Sequence, residues 1–395
     1  MPVVGIIAEY NPFHLGHAYQ IDRVRRLLGA DSPVVAVMSG NFVQRGETAL
    51  LHKHARAESA VRCGVDLVLE LPTAWAAATA EVFARGGVSL LAATGVVTHL
   101  CFGSECGDLA QLERLTECMD GQAYQAQLRG FLGEGMTFAA ARQAAARRLL
   151  GDAADCLSQP NNNLAVEYLR AVRALGADVT PVTVLRVGAA HDSDAAGPVA
   201  SASAIRRRIL AGETWERLVP PDSAAVLRRE MDAGHAPVSQ AACERMILAR
   251  LRAMEEEEFR LYDGGNEGLY HRFYEAVRRS STLEELLDLA KTKRYPRARL
   301  RRMALAAWLG LERPSGTPPY LRVLAANSRG CGLLREMKAH AALPILTKPG
   351  DVRHLGTGAE QCLAAESRCT DQYTLAWPVP GPAGWEYTAP PVILP

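Results

Sequence analysis

Five short apolar runs punctuate the first half of the chain: Pro2–Ala8, Val34–Met38, Asp66–Leu71, Val97–Phe102 and Val179–Arg186. Each has strand length. Their apolar residues run on almost continuously, which suits a parallel sheet covered on both faces. Between them the spacing changes. Ala18, Ile21, Val24 and Leu28 fall on one helical face after Gly16-His17, and His54–Arg62 and Leu109–Met119 also read as helices. This strand–helix alternation predicts an α/β domain with a doubly wound parallel sheet over residues 1–215. From about Trp215 the pattern is mainly helical, with an acidic run at Glu255–Glu258 and a basic run at Lys291–Arg302. The Pro-rich tail, PVPGPAGWEYTAPPVILP, is not expected to be helical. Residues 216–395 are therefore expected to form a second, mainly helical domain. No internal repeat occurs at solenoid periods.

Composition narrows the class. With 48% hydrophobic and 22% charged residues among 395, the chain is neither disordered, collagen-like nor a disulfide miniprotein. No run reaches the ~18 apolar residues of a membrane span, so no membrane association is expected. The start has no basic region before its apolar run and meets His14 and His17 at once, unlike a signal peptide. The nine cysteines form no CxxC pair, and Cys101 and Cys106 are too far apart for a zinc knuckle. Reduced thiols in a cytoplasmic protein are the expectation.

The net charge of +1 excludes a uniformly basic nucleic-acid coat. It hides an asymmetry. Lys291, Lys293, Arg294, Arg297, Arg299, Arg301 and Arg302 carry +7 with no acid among them, which leaves the other residues at −6. Tyr295 lies inside this run. A solvated helix face is the plain reading; a contact for nucleic-acid phosphates is the functional one.

Candidate chemistry is densest at Glu9-Tyr10-Asn11-Pro12-Phe13-His14-Leu15-Gly16-His17, where the first strand passes into the first helix. Open α/β sheets bind ligands at the carboxyl ends of their strands, and helix N-termini offer free N–H groups to phosphate. His14 and His17 can donate hydrogen bonds to phosphate oxygens and stabilise charge as an α-phosphate is attacked. Two ordinary histidines at a helix start, or a zinc pair lacking a nearby third ligand, are the alternatives. Met38–Glu47 follows the second strand with amide, guanidinium and glycine groups, and Lys53 and Arg56 follow on the next helix. Gly103 ends the fourth strand, where a purine could lie on the backbone. Asn161, Asn162 and Asn163 precede a helix and could cap it or bind a base or ribose. Arg186 ends the fifth strand. Ser201, Ser203 and Arg206 open the next helix, as a simple N-cap and solvated face or as a phosphate cradle.

The HxGH pattern resembles the signature of the nucleotidyltransferase superfamily. GIIAEYNPFHLGH, VMSGNFVQRGE, DLVLELP, LCFGSE, PNNNLAVEYL, LRVGAAHDSD and SASAIR together resemble the tRNA(Met) cytidine acetate ligase family. In the second half KTKRYPRARLRRM, PPYLRVLAANSRG, LPILTK and TDQY extend the likeness across nearly the whole chain.

The resemblance implies an ATP-dependent ligase that forms acetyl-adenylate and passes the acetyl group to N4 of the wobble cytidine of elongator tRNA(Met). It places ATP on Ile7, Ala8, Glu9, Tyr10, Asn11, Pro12, Phe13, His14, Leu15, Gly16, His17, Ala18, Tyr19, Gln20, Gly103, Asn162 and Arg186, with neighbouring asparagines open. His14 and His17 are expected on the phosphates, and Ser201, Ser203 and Arg206 on the leaving pyrophosphate. Mg²⁺ is expected to bridge phosphate oxygens. Lys291, Lys293, Arg294, Arg297, Arg299 and Arg301 are expected to hold RNA. Serine stands at 203 where the superfamily pattern has threonine, and keeps the hydroxyl. Two other readings remain: a small-molecule adenylyltransferase of the pantetheine-phosphate or nicotinamide-mononucleotide kind, and a nucleotide-sensing RNA-binding protein without catalysis.

Overall fold

The structure, a computed structural model, describes residues 1–186, 200–264 and 268–395. In chain order its strands are β1 (Val4–Ala8), β2 (Val34–Ser39), β3 (Phe42–Val43), β4 (Glu47–Thr48), β5 (Leu67–Leu71), β6 (His99–Ser104), β7 (Thr180–Leu185), β8 (Leu321–Ala326), β9 (Ile345–Leu346) and β10 (Val392–Ile393). All five apolar runs of the first half are strands of one sheet, ordered β10-β8-β5-β2-β1-β6-β7, with β9 beside β8. The pairs β1–β2, β1–β6, β2–β5 and β6–β7 are parallel. β1 thus has its two neighbours reached by connections running in opposite directions. That is the crossover where an open α/β sheet leaves a crevice.

Both faces of the sheet are covered, as the continuous apolar runs predict. Val4 and Ile6 of β1 pack with Ile21 and Val24 of the helix Leu15–Leu28 on one face. Ile7 packs with Phe83 and Leu91 of the helix Ala80–Ala93 on the other. That second contact is close. A Cβ on Gly87 would meet the Ile7 side chain at 2.7 Å, so this position needs glycine.

The second half is mainly helical but returns to the sheet. β8 pairs antiparallel with β5, and β10 pairs parallel with β8. β8 escaped the periodicity reading because Arg322 interrupts its apolar run. Arg322 is buried all the same. Its guanidinium joins a charge cluster in which Lys53 Nζ lies 2.6 Å from Glu70 Oε1 and 2.7 Å from Glu386 Oε2. Arg322 Nη2 lies 2.9 Å from Glu386 Oε1. Two cations therefore face two carboxylates. A third acid, Glu366, is pushed up to about 8 by burial and by the charge of Glu70, and accepts from the Thr73 N–H and hydroxyl. The cluster ties the tail, through Glu386, to the first-half sheet.

The helices of the second half enclose a separate apolar cluster that includes Leu251, Phe273, Leu287, Trp308 and Tyr373. Phe42, from β3, inserts into it with ring centroids 5.8 Å from Trp308 and 5.9 Å from Tyr373. Among the described residues no helix is long and apolar enough to cross a membrane.

Arg56, on the helix Lys53–Arg62, has no exposed surface. Its guanidinium donates to the carbonyls of Ser39 at 2.9 Å and Leu51 at 3.1 Å, and to those of Glu9 and Gly40. It therefore binds the carboxyl ends of β1 and β2 together. Arg56→Met leaves these carbonyls buried without donors. It should destabilise the protein by about 3–5 kcal/mol in urea unfolding; a loss under ~1 kcal/mol contradicts this role.

Candidate nucleotide-binding site

β1 ends at Ala8, and the chain turns through Tyr10 into the helix Leu15–Leu28. Tyr10 has φ +46°, the one left-handed non-glycine backbone among the described residues. Such a residue costs roughly 1–2 kcal/mol and needs support from its surroundings. Arg56 supplies support by holding the carbonyl of the preceding residue, Glu9.

His14 is the N-cap of the helix. Its Nδ1 accepts the Gly16 N–H at 3.0 Å, and His17 Nδ1 accepts the His14 N–H at 3.2 Å. The two rings stack with centroids 3.8 Å apart. These backbone donors fix the tautomers. With Nδ1 an acceptor, each neutral imidazole carries its proton on Nε2. Burial, then the charges of Arg186 and Arg206, hold His14 down to about 3. Burial, then His14 and Arg186, hold His17 well below its ordinary value. The pair therefore offers two Nε2–H donors without positive charge. The same geometry works against the zinc alternative, because ligation through Nε2 would move the proton to an Nδ1 that already accepts a backbone N–H.

The histidines line a cleft of about 200 Å³ that is open to solvent. Ile7, Ala8, Glu9, Tyr10, Asn11 and Gln20 line it from the first strand, turn and helix. Gly103 and Arg186 line it from the ends of β6 and β7. Ser201, Ser203 and Arg206 line it from the start of the helix Ala202–Leu210. Gly16 and Tyr19 line an adjoining recess that shares both histidines. Pro12, Phe13, Leu15 and Ala18 line neither. Phe13 is wholly buried beside Tyr10. A Cβ on Gly103 would meet the stem of Arg186 at 3.2 Å, so the glycine makes room for that arginine.

Asn162 is placed differently from its sequence reading. Its Oδ1 accepts the N–H groups of Glu105 and Cys106, and its Nδ2 donates to the Cys156 carbonyl. All its side-chain groups are used inside the protein, and Asn161 is the asparagine that faces the cleft. Ser201 is a true N-cap, accepting the Ala204 N–H at 3.2 Å, while still facing the cleft. Arg206 Nη1 donates to the Asn11 carbonyl at 2.9 Å, joining the two helix starts. The motif residues after Arg186, at 187–199, lie outside the described residues.

Sequence reasoning named no individual role for Gln44, Arg45, Glu47, Phe83 or Tyr168, which also line the cleft. The loop after β2 was the available signal for the first three. Phe83 and Tyr168 come from helices whose apolar faces read simply as core. Lys53 and Arg56 do not reach the cleft, because both are fully buried in the contacts described above.

The basic run is partly spent inside the chain. Arg297 pairs with Glu284 and Asp288. Arg299 lies 3.3 Å from Asp263, and Arg301 Nη1 lies 2.7 Å from Glu47 Oε1. Arg294 is exposed. Lys291 and Lys293 are exposed and make no ion pair among the described residues.

Among the described residues, one further group, His52, Glu230 and His235, has the makings of a metal centre. His52 Nδ1 accepts the Ala55 N–H at 3.2 Å, so its Nε2 carries a proton and donates to Glu230 at 2.9 Å. That donor set is a hydrogen-bonded carboxylate rather than a ligand sphere.

A family model for HIGH nucleotidyl transferases matches residues 1–381. A tRNA(Met) cytidine acetate ligase of Syntrophomonas wolfei is 36% identical over 99% of both chains. One of Acetivibrio thermocellus is 33% identical over the whole of both. Two crystal structures of Thermotoga maritima TmcAL, one apo and one bound with alpha-thio ATP, superpose with TM-scores of 0.94 and 0.93 at 32% identity, covering both chains completely. With full-length identity at this level, a shared fold and the HxGH turn at the sheet crossover, the chain belongs to the tRNA(Met) cytidine acetate ligase family of HIGH nucleotidyltransferases.

Proposed function

We propose that this protein uses ATP to activate acetate as acetyl-adenylate and transfers the acetyl group to N4 of the wobble cytidine of elongator tRNA(Met). The observation that carries the chemistry is the pair of neutral imidazoles with both Nε2–H groups directed from the end of β1. Acetate must displace pyrophosphate from the α-phosphate, and the protein's part is positioning and charge stabilisation. His14 and His17 donate to the phosphate oxygens. Because they are neutral, they do not compete as proton donors to acetate. Ser201, Ser203 and Arg206 take the leaving pyrophosphate at a helix start. Arg186 faces the nucleotide from the end of β7. Mg²⁺ held with the nucleotide would supply charge screening for the phosphates, and such an ion would need few protein ligands, Glu9 and Glu47 being the carboxylates within the described cleft wall. Among the described residues the cleft wall is rich in arginine and offers carboxylates only from Glu9 and Glu47, which fits a metal held chiefly by the phosphates.

RNA contact is assigned first to Lys291 and Lys293, which are exposed and make no ion pair among the described residues, with the exposed Arg294 in the same strip. Arg297, Arg299 and Arg301 stand in the same strip, but their ion pairs must loosen before they can take phosphate.

His17→Asn should abolish acetate-dependent ATP–pyrophosphate exchange, a loss on the order of 10²-fold or more, with tRNA binding nearly intact. Exchange at the wild-type rate would show the site to be wrong. The neutral state of His17 also sets a stability slope. The unfolded chain protonates this histidine below about pH 6.5 while the folded one does not, so its contribution is full above that pH and is lost as pH falls through it. Between about pH 7.5 and about pH 5.5 the wild type should lose about 1.4 kcal/mol more than His17→Gln in urea unfolding. Equal losses would mean that the imidazole takes up a proton in the fold. Replacing Lys291 and Lys293 together by alanine should lower the slope of log affinity for tRNA against log salt by about 2. An unchanged slope removes both from the interface.

A further inference from the structure

Two cavities meet at the histidine pair. The smaller is walled by Tyr19, Leu185 and Ala200. The larger extends the other way, to Glu9, Gln44, Phe83 and Tyr168. Gly103, Arg186 and Ser201 belong to both. Glu9 therefore stands on the wall that the smaller recess does not reach, with His14 and His17 between.

Glu9 is an anomaly in a pocket for polyphosphate. Among the described residues two carboxylates line the larger cavity. Glu47 is neutralised, with Arg301 Nη1 at 2.7 Å and Arg206 Nη2 at 3.9 Å. Glu9 makes no ion pair among the described residues, and its one side-chain hydrogen bond there is Oε1 accepting the Gln44 N–H at 2.9 Å. Its carbonyl is gripped by Arg56. The carboxylate is thus fixed at both ends and keeps Oε2 for a substrate. A fixed anion beside phosphates weakens nucleotide binding unless something else in the reaction needs it. That need belongs to a nitrogen nucleophile. An exocyclic base amine is delocalised into its ring, carries N–H donors, and must shed a proton once it has bonded to carbon.

We propose that Glu9 is the catalytic acceptor for the amine proton in the acetyl-transfer half of the reaction. The assignment rests on the acetyl-transfer reading above. The amine lone pair forms the N–C bond to the acetyl carbonyl carbon. The bond from that carbon to the phosphoryl oxygen breaks, and AMP leaves with the electron pair. The amine proton passes to Glu9 Oε2 and then to solvent. Tyr168 and Arg206 flank the carboxylate; burial, then its charge, push the Tyr168 phenol up.

The test separates the two half-reactions on the full-length protein. Glu9→Gln keeps the shape and the acceptor for the Gln44 N–H. Acetate-dependent ATP–pyrophosphate exchange reads the first half. Single-turnover formation of N4-acetylcytidine from synthetic acetyl-adenylate and tRNA(Met) reads the second. Transfer should fall by about 10²–10⁴-fold, at least tenfold further than exchange. Glu9→Asp should fall between wild type and Glu9→Gln in transfer, and it carries the test alone if Glu9→Gln fails to fold. Equal losses in the two halves would assign Glu9 to the nucleotide or its metal, and unimpaired transfer would leave it no role; either overturns the proposal. Absence of N4-acetylcytidine from the wild type would instead overturn the underlying reading.

Discussion

A guanidinium sealed from water holds the catalytic end of the sheet together. Arg56 lies among backbone carbonyls, and burial pulls it down to about 10, still charged at neutral pH. A buried charge of this kind is tolerated only when its donors are used. Arg56 uses them on Glu9, Ser39, Gly40 and Leu51, the residues where β1, β2 and the following loop must converge. The left-handed turn at Tyr10 follows directly from the gripped Glu9 carbonyl. The orientation of the His14-Leu15-Gly16-His17 turn follows from Tyr10. A residue that never touches substrate thus sets the geometry of those that do.

The histidines show how backbone hydrogen bonds decide side-chain chemistry. An imidazole near neutral pH could act as acid, base, ligand or donor. Here the capping contacts consume both Nδ1 atoms, and burial beside two arginines removes the charge. Only the neutral Nε2–H donor remains. That is the form suited to phosphate oxygens whose charge grows during displacement, since it stabilises without giving up its proton.

Much of this was legible in the sequence, and the exceptions have physical causes. The five first-half strands announce themselves because a parallel sheet buried on both faces demands uninterrupted apolar runs. β8 does not, because Arg322 breaks its run, and only the three-dimensional pairing with Glu70 and Glu386 explains a guanidinium there. The HxGH turn was legible as the candidate site, and both its histidines line the cleft, but the fixed tautomer depends on backbone N–H directions. Asn162 looked equivalent to its neighbours. Which of three consecutive asparagines faces a cleft depends on a helical rotation of about 100° per residue, and here it turns Asn162 toward the loop after β6.

The basic strip is where charge counting misled most. Seven cations in twelve residues read as a solvated face or a phosphate contact, yet acids elsewhere in the chain pair with several of them. Glu47 is the informative case. It lines the cleft, lies between Arg206 and Arg301, and sits on a hairpin whose Gly46 leaves no room for a Cβ beside the Arg301 backbone. Arg206 lines the cleft and Arg301 belongs to the strip, so one carboxylate is shared between the two positive regions. Removing either partner changes the field at the other, because a half-buried pair is poorly screened by salt. The helix start proposed to bind phosphate and the basic strip are therefore electrostatically one unit, although some ninety residues of chain separate them.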